Sequence, residues 1–307
     1  MQKAKIKYKD YDAIQFSSGS LELIVTTSCG PRVISLKSKK AKQAGNFFFE
    51  FPRPEKRYLG LYLRGGHRLW HAPEDLVDTY VPDDETLSVK ALKNGASFKH
   101  PVEKKTGLQK SIQVELLKND TVKVTHVLKN KTRKPIERAA WAVTMLPPGG
   151  YGFFPLLPKG SHAGGDLLPN TVLIPWTFTD FSSKVWHYNR DFIGVNVDQA
   201  KEAQKLGIYN YPGWSGYWRK NAVFIKYSKP NIVKAHTDMG ATFETFTNGS
   251  MYELETLSDF RVIKPGKAIT HVEYWTVFSG VKKPNSDKRF DQTIKPRVAR
   301  WLKTLTA

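Results

Sequence analysis

Three short stretches bring together side chains able to move protons or to hold a sugar. The densest is RGGHRLWHAPED (64–75), with two histidines, two arginines, one tryptophan and two acids in twelve residues. The face of Trp70 suits the apolar C–H face of a sugar, while His67, Arg68 and His71 can donate to hydroxyls or carboxylates. Gly65-Gly66 lets the backbone turn sharply or approach a ligand closely. The second stretch is MYELETLS (251–258), in which Glu253 and Glu255 fall on one face of a strand. Adjacent carboxylates raise one another's pKa, which suits a general base near neutral pH. An acidic strand face balancing nearby lysines is the plainer alternative. In the third, THVEYW (270–275), alternation places His271, Glu273 and Trp275 on one face; a histidine so placed is more often structural than catalytic. PGWSGYW (212–218) makes Trp214 a secondary sugar platform, although aromatics at strand spacing more often fill a core.

His67 and His71 are four residues apart, a metal-binding spacing on a helix, but the glycine pair and Pro73 argue against one. No His/Cys/carboxylate set carries a convincing metal pattern, so neither metal nor cofactor is expected.

The elements that must position these residues read as short strands. LELIVTT (21–27) and VISL (33–36) form a hairpin around Cys29-Gly30-Pro31. SIQVELL (111–117) and TVKVTHVL (121–128) form another, joined by Lys118-Asn119-Asp120, with Val122, Val124 and His126 marking the register. Later strands are expected at 222–227, 241–247, 251–257 and 269–278. Helical periodicity is confined to DQTIKPRVARWLKTL (291–305), where Ile294, Val298, Trp301 and Leu302 share a face and Pro296 marks the start. The Pro/Gly-rich segment 147–170 contains Tyr151, Phe153 and Phe154, which suggests an ordered loop. No linker or repeat divides the 307 residues, so a single all-β domain over 1–307 is expected.

Forty per cent hydrophobic and 12% aromatic residues supply a sizeable core. The polar N-terminus has no apolar secretory segment, no apolar run is long enough to span a bilayer, and Cys29 is the lone cysteine. These features point to the cytoplasm and to no membrane association. The formal charge is +20. Such a field attracts polyanions, but the lysines sit in loop-like stretches and no nucleic-acid signature is present. The expected partner is a mono- or oligosaccharide, with an acidic sugar among the candidates; nucleic acid is not expected. Oligomeric state is not readable here.

At the carboxyl end, YELETLSDFRVIKPGKAITHVEYWTVF (252–278) resembles the closing strands of galactose mutarotases, which carry a Leu-Glu-Thr strand, a Pro-Gly turn and a final strand. GPRVISLKSK (30–39) and GGHRLWHAPED resemble the early hairpin and Gly-Gly loop of that superfamily. A bacterial family within it carries GHRLWHAPED, Thr106-Gly107 with Lys110, the segment Trp141 to Gly150, and the ELETL strand. The resemblance covers nearly the whole chain. It implies a galactose-mutarotase-like β-supersandwich, with Glu255 as catalytic base. The family's general-acid histidine is missing, because WAVTMLPPGG (141–150) stands where the His-Pro-Tyr-Phe-Asn-Leu motif belongs. His67 or His126 must then substitute, or the reaction differs.

Three functions follow. An aldose-1-epimerase-type enzyme would use Glu255 as base and His67 as acid, with Arg68, Trp70 and His71 holding the sugar and Glu253 tuning its neighbour. A polysaccharide lyase would neutralise a uronate with Arg68 or His67 and use Tyr80 or Tyr217 for proton transfer. A non-catalytic carbohydrate-binding module is the third. The enzyme reading places His67 and Glu255 in one cleft.

Overall fold

The computed structural model describes residues 1–52, 57–231 and 233–306. Strands account for 46% of residues and helices for 11%, as the short alternating runs predict. Two large antiparallel sheets face each other. The first runs, in spatial order, Gln2–Tyr8, Tyr11–Ser18, Leu21–Thr26, Arg32–Ser38, His67–Ala72, Ile136–Leu146, Tyr252–Leu257, Phe243–Thr247, Gln204–Ile208 and Leu173–Pro175. Arg261–Ile263 adds to the start of the strand Ile136–Leu146. The second runs Trp186–Tyr188, Phe192–Asn196, Tyr151–Pro155, Trp214–Arg219, Ala222–Tyr227, Ala268–Ser279, Thr121–Asn130, Leu108–Leu117, Gly95–Lys99 and Ser88–Leu92.

Early and late chain segments meet at the centre of the first sheet, where His67–Ala72 and Tyr252–Leu257 flank Ile136–Leu146. The main core lies between the sheets and includes Phe16, Leu23, Leu69, Phe98, Val124, Leu254 and Trp275. The 111–128 hairpin forms as expected. Asn119 and Asp120 carry the positive φ values, 58° and 49°, of a tight hairpin turn. Tyr151–Pro155 is a buried strand, so the 147–170 segment begins as sheet and only its later part is loop.

The C-terminal helix starts at Lys295, beside Pro296 as expected, and a further helix that the periodicity does not mark precedes it. Two helices form, Asp287–Thr293 and Lys295–Thr306. Ser286 caps the first by accepting from the Arg289 N–H. Pro296 lacks the N–H that would bond the carbonyl four residues back, which breaks the helices apart while suiting the first turn of the second. Phe290, Ile294, Val298 and Trp301 pack under the outer face of the second sheet, against Phe153, Phe192 and Trp214. No helix among the described residues is long and apolar enough to cross a membrane.

Candidate functional site

The pleat decides which residues can meet. In His67–Ala72, Arg68 and Trp70 project to the outer face of the first sheet, while His67, Leu69 and His71 project toward the second. Registers extend this across the sheet. Arg68 pairs with Val143, Val143 with Glu255, and Glu255 with Glu244. One step along, Glu253 pairs with Met145 and Phe246, and Phe246 with Lys205. Trp70 pairs with Trp141, and Trp141 with Leu257. The outer face therefore carries Arg68, Trp70, Trp141, Lys205, Glu244, Glu253 and Glu255 as neighbours.

The glycine pair sets the strand's entry. Gly65 and Gly66 have φ of +84° and +71°, and a Cβ there would lie 2.1 Å from the Phe49 carbonyl oxygen and 2.5 Å from that of Val33. Arg32, fully buried, donates to the Gly65 carbonyl at 2.6 Å and pairs with Asp83 at 2.8 Å, which fixes the loop.

Contacts on the outer face are close. The Trp141 indole donates to Glu255 Oε2 at 2.6 Å. Lys205 Nζ lies 2.9 Å from Glu244 Oε2 and 3.4 Å from Glu255 Oε2, and stands 4.9 and 4.7 Å from the Trp141 and Trp176 ring centres. Arg68 stacks over Trp70 at 3.7 Å and reaches Glu253 at 3.6 Å. Pro73, Glu74, Leu76, Trp141, Trp176, Lys205, Asp238 and Glu244 line a cleft of about 310 Å³. Glu255 has no exposed surface; Glu253 keeps 13% of its side chain exposed. Glu255 Oε1 and Glu244 Oε1 make no hydrogen bond within the described protein.

Burial, then the Glu255 charge, pushes Glu253 up to about 7, against the pull of Arg68 and Lys205. The sequence makes Glu255 the tuned member of the carboxylate pair; in the structure the raised group is Glu253. Burial disfavours the Lys205 charge, but Glu255 and Glu244 outweigh it and hold the ammonium protonated.

His67 does not share a cleft with Glu255. It registers with Thr144 and Val33, one residue out of step with the Arg68–Glu255 row, so the pleat turns it to the opposite face. There it joins a buried network between the sheets. His67 Nε2 lies 2.7 Å from His126 Nε2, and His67 Nδ1 lies 2.8 Å from Thr144 Oγ1. His126 Nδ1 reaches the His271 carbonyl at 3.1 Å, and His271 Nε2 reaches Thr256 Oγ1 at 2.6 Å. Glu273 accepts from Thr256, from Trp275 at 2.8 Å, and from Lys226 at 3.0 Å. Burial would raise Glu273, but Lys226 and the neighbouring imidazoles hold its carboxyl below the usual range. The shared strand face of His271, Glu273 and Trp275 is as expected, and it points inward.

His67, His126 and Glu273 bring donor atoms within 4.8 Å of one another. The two imidazole Nε2 atoms engage each other, and Lys226, Thr256 and Trp275 already surround the carboxylate. An ammonium in direct contact with the sole acidic ligand disfavours a divalent cation. The arrangement is complete as a hydrogen-bonded network.

Other expectations also move. His71 is buried on the inner face, where neither ring nitrogen makes a hydrogen bond among the described residues. Trp214 is 7% exposed and stacks on Phe290 at 5.9 Å with 7° between ring planes, so it is core rather than platform. Tyr217 is buried, stacks on Tyr252 and donates to the Pro147 carbonyl. Tyr80 packs on Trp70 and bonds Glu74 at the edge of the outer face.

Burial lowers His71 to about 2, far below its ordinary value near 6.5. The folded protein thus binds fewer protons there than the unfolded chain. The histidine's contribution is complete above pH 6.5 and is lost as the pH falls. His71→Leu should remove that loss. Its stability relative to wild type should rise by about 2–3 kcal/mol between pH 6.5 and 4.5, at about 1.4 kcal/mol per pH unit. Urea titrations at both pH values measure this; a pH-independent difference would contradict it.

Comparison with solved structures places the fold. A galactose mutarotase-like protein from Lactobacillus casei superposes with a TM-score of 0.57 at 9% identity, covering 87% of this chain and 100% of that one. A galactose mutarotase related enzyme from Lactobacillus acidophilus gives 0.56 at 10% identity, over 88% of this chain and 99% of that one. A TPR-domain containing protein from Parabacteroides distasonis gives 0.57 at 14% identity, over 87% of this chain and 47% of that one. No protein-family model and no curated protein matches the sequence. At these identities the likeness is one of fold.

Proposed function

Since the chain has the galactose-mutarotase-like fold, we propose that it is an aldose-1-epimerase-type enzyme working on the outer face of the first sheet. One observation carries this reading. Two carboxylates, Glu253 and Glu255, share a sheet face beside a tryptophan-walled cleft, and burial pushes Glu253 up to about 7. A carboxyl held near neutrality can keep its proton and serve as an acid beside a second carboxyl group.

Glu255, oriented by the Trp141 indole, takes the proton from the anomeric hydroxyl. Protonated Glu253 gives its proton to the ring oxygen, and the C1–O5 bond breaks to give the open-chain aldehyde. Rotation about C1–C2 presents the other face of the carbonyl. The hydroxyl oxygen attacks it, returning its proton to Glu253, while Glu255 protonates O1. Every proton is restored, so no cofactor is required. Glu253 thereby takes the acid role for which His67 is badly placed. Arg68 and Trp70 support the carboxylates, and Trp141 and Trp176 flank the sugar.

The complete burial of Glu255 beneath Trp141 and Lys205 favours a second reading, a carbohydrate-binding module whose carboxylates only hold hydroxyls. In the enzyme, Lys205 must swing away from Glu255 as sugar enters. Exchange NMR of α- and β-glucose decides between them. The enzyme accelerates anomer exchange above the buffer rate; binding without acceleration selects the module.

A further inference from the structure

We propose that this cleft takes a sugar bearing an ammonium group, a hexosamine, in preference to a neutral or anionic sugar. The inference rests on the cleft being the sugar site and deepens it by naming the substrate class.

The lining is acidic in a protein whose overall charge is +20. Glu74, Asp238 and Glu244 line the cleft, and Glu253 and Glu255 lie beside it on the same sheet face. The neighbouring cations are already engaged, Arg68 with Glu253 at 3.6 Å and Lys205 with Glu244 at 2.9 Å. A uronate would therefore meet carboxylates without a spare cation from this group. The lysine-rich surface acts elsewhere and is screened over about 10 Å at ordinary salt.

Unused acceptor capacity points the same way. Glu244 is 1% exposed and lines the cleft, and among the described residues neither its Oε1 nor that of Glu255 has a hydrogen-bond partner. Buried carboxylate oxygens without partners are costly, and an ammonium supplies three donors to meet them.

The aromatic walls match. Trp141 and Trp176 hold the Lys205 ammonium at 4.9 and 4.7 Å from their ring centres, within cation–π range. The place where Lys205 rests is thus already built for –NH3+. When Lys205 swings aside, a ligand ammonium can restore the same contacts with Glu244 and Glu255, whereas a neutral hydroxyl brings one donor and no charge, and a carboxylate brings no donor. At about 310 Å³ the cleft is at the small end of ligand cavities, which suits a monosaccharide or a chain terminus.

The test uses methyl glycosides, whose anomeric centre is blocked, so that binding is read apart from turnover. Methyl glucosaminide, methyl glucoside, methyl N-acetylglucosaminide and methyl glucuronide are titrated by NMR at low ionic strength. The glucosaminide should bind about tenfold or more tighter than the glucoside. N-acetylation should abolish that advantage, and the glucuronide should bind weakest. Asp238→Asn and Glu244→Gln should each shrink the preference; Asn tolerates the positive φ of 52° at position 238. Equal affinity for glucosaminide and glucoside, or a preference for the glucuronide, overturns the inference. If glucose anomers exchange faster with the protein while the glucosaminide gains nothing, this inference falls and the epimerase reading stands. A glucosaminide preference without accelerated exchange upholds the inference for a binding cleft and removes the epimerase reading.

Discussion

Glu255→Gln should lower the rate of anomer exchange by about 10²–10⁴, the usual cost of removing a positioned general base. The amide keeps the shape of the side chain and can still accept the Trp141 indole N–H, but it cannot take a proton. Lys205 retains Glu244 at 2.9 Å, so the ammonium is not stranded and the fold should persist. Circular dichroism and a sugar titration on the same sample separate lost chemistry from lost structure. Full activity in the variant would remove Glu255 from the mechanism.

Lys226→Met should destabilise the fold by about 3–5 kcal/mol, the range for stranding one member of a buried ion pair. Lys226 is fully buried. Besides Glu273 it donates to the Leu254 carbonyl at 3.0 Å and approaches that of Ala142 at 3.5 Å. Those two strands carry Glu253, Glu255 and Trp141 on their other face. Removing the ammonium leaves the Glu273 charge among imidazoles, in a site without water access. The double variant Lys226→Met/Glu273→Leu should recover much of the loss, because neither charge then remains. Urea titration of the three proteins measures it. A single variant within about 1 kcal/mol of wild type would mean that Glu273 finds another way to be satisfied.

Much of the architecture was legible because strand periodicity is local. The hairpin at 111–128 and the shared face of Glu253 and Glu255 follow from alternation alone. What was not legible is which way a strand faces. RGGHRLWHAPED clusters seven chemically capable side chains in sequence, but the pleat sends Arg68 and Trp70 outward and His67 and His71 inward, so the cluster divides. Only the neighbouring strands' registers fix the choice, and those pairings lie about 35 and about 70 residues away in sequence.

Lys205 and Glu244 were missed for a related reason. QKLGI and FETFT look like ordinary strands with one charge each. The signal for Glu244 was present: Asn248-Gly249 closes a hairpin between 243–247 and 252–257, and counting back from the turn sets Glu244 opposite Glu255. Lys205 had no such local cue, because its pairing with Phe246 spans some forty residues. Trp214 illustrates the converse. Its aromatic neighbours suggest a platform, but the C-terminal helices cover it.

The most direct test of the paired-carboxylate mechanism is the pH dependence of anomer exchange in the wild-type protein, followed by NMR from pH 5 to 9. As general acid, Glu253 must carry its proton. With its carboxyl pushed up to about 7, the rate should fall roughly tenfold per unit above that pH. Glu253→Gln should lose the limb together with most of the activity. Acceleration that stays level through pH 7 and survives Glu253→Gln would contradict the mechanism.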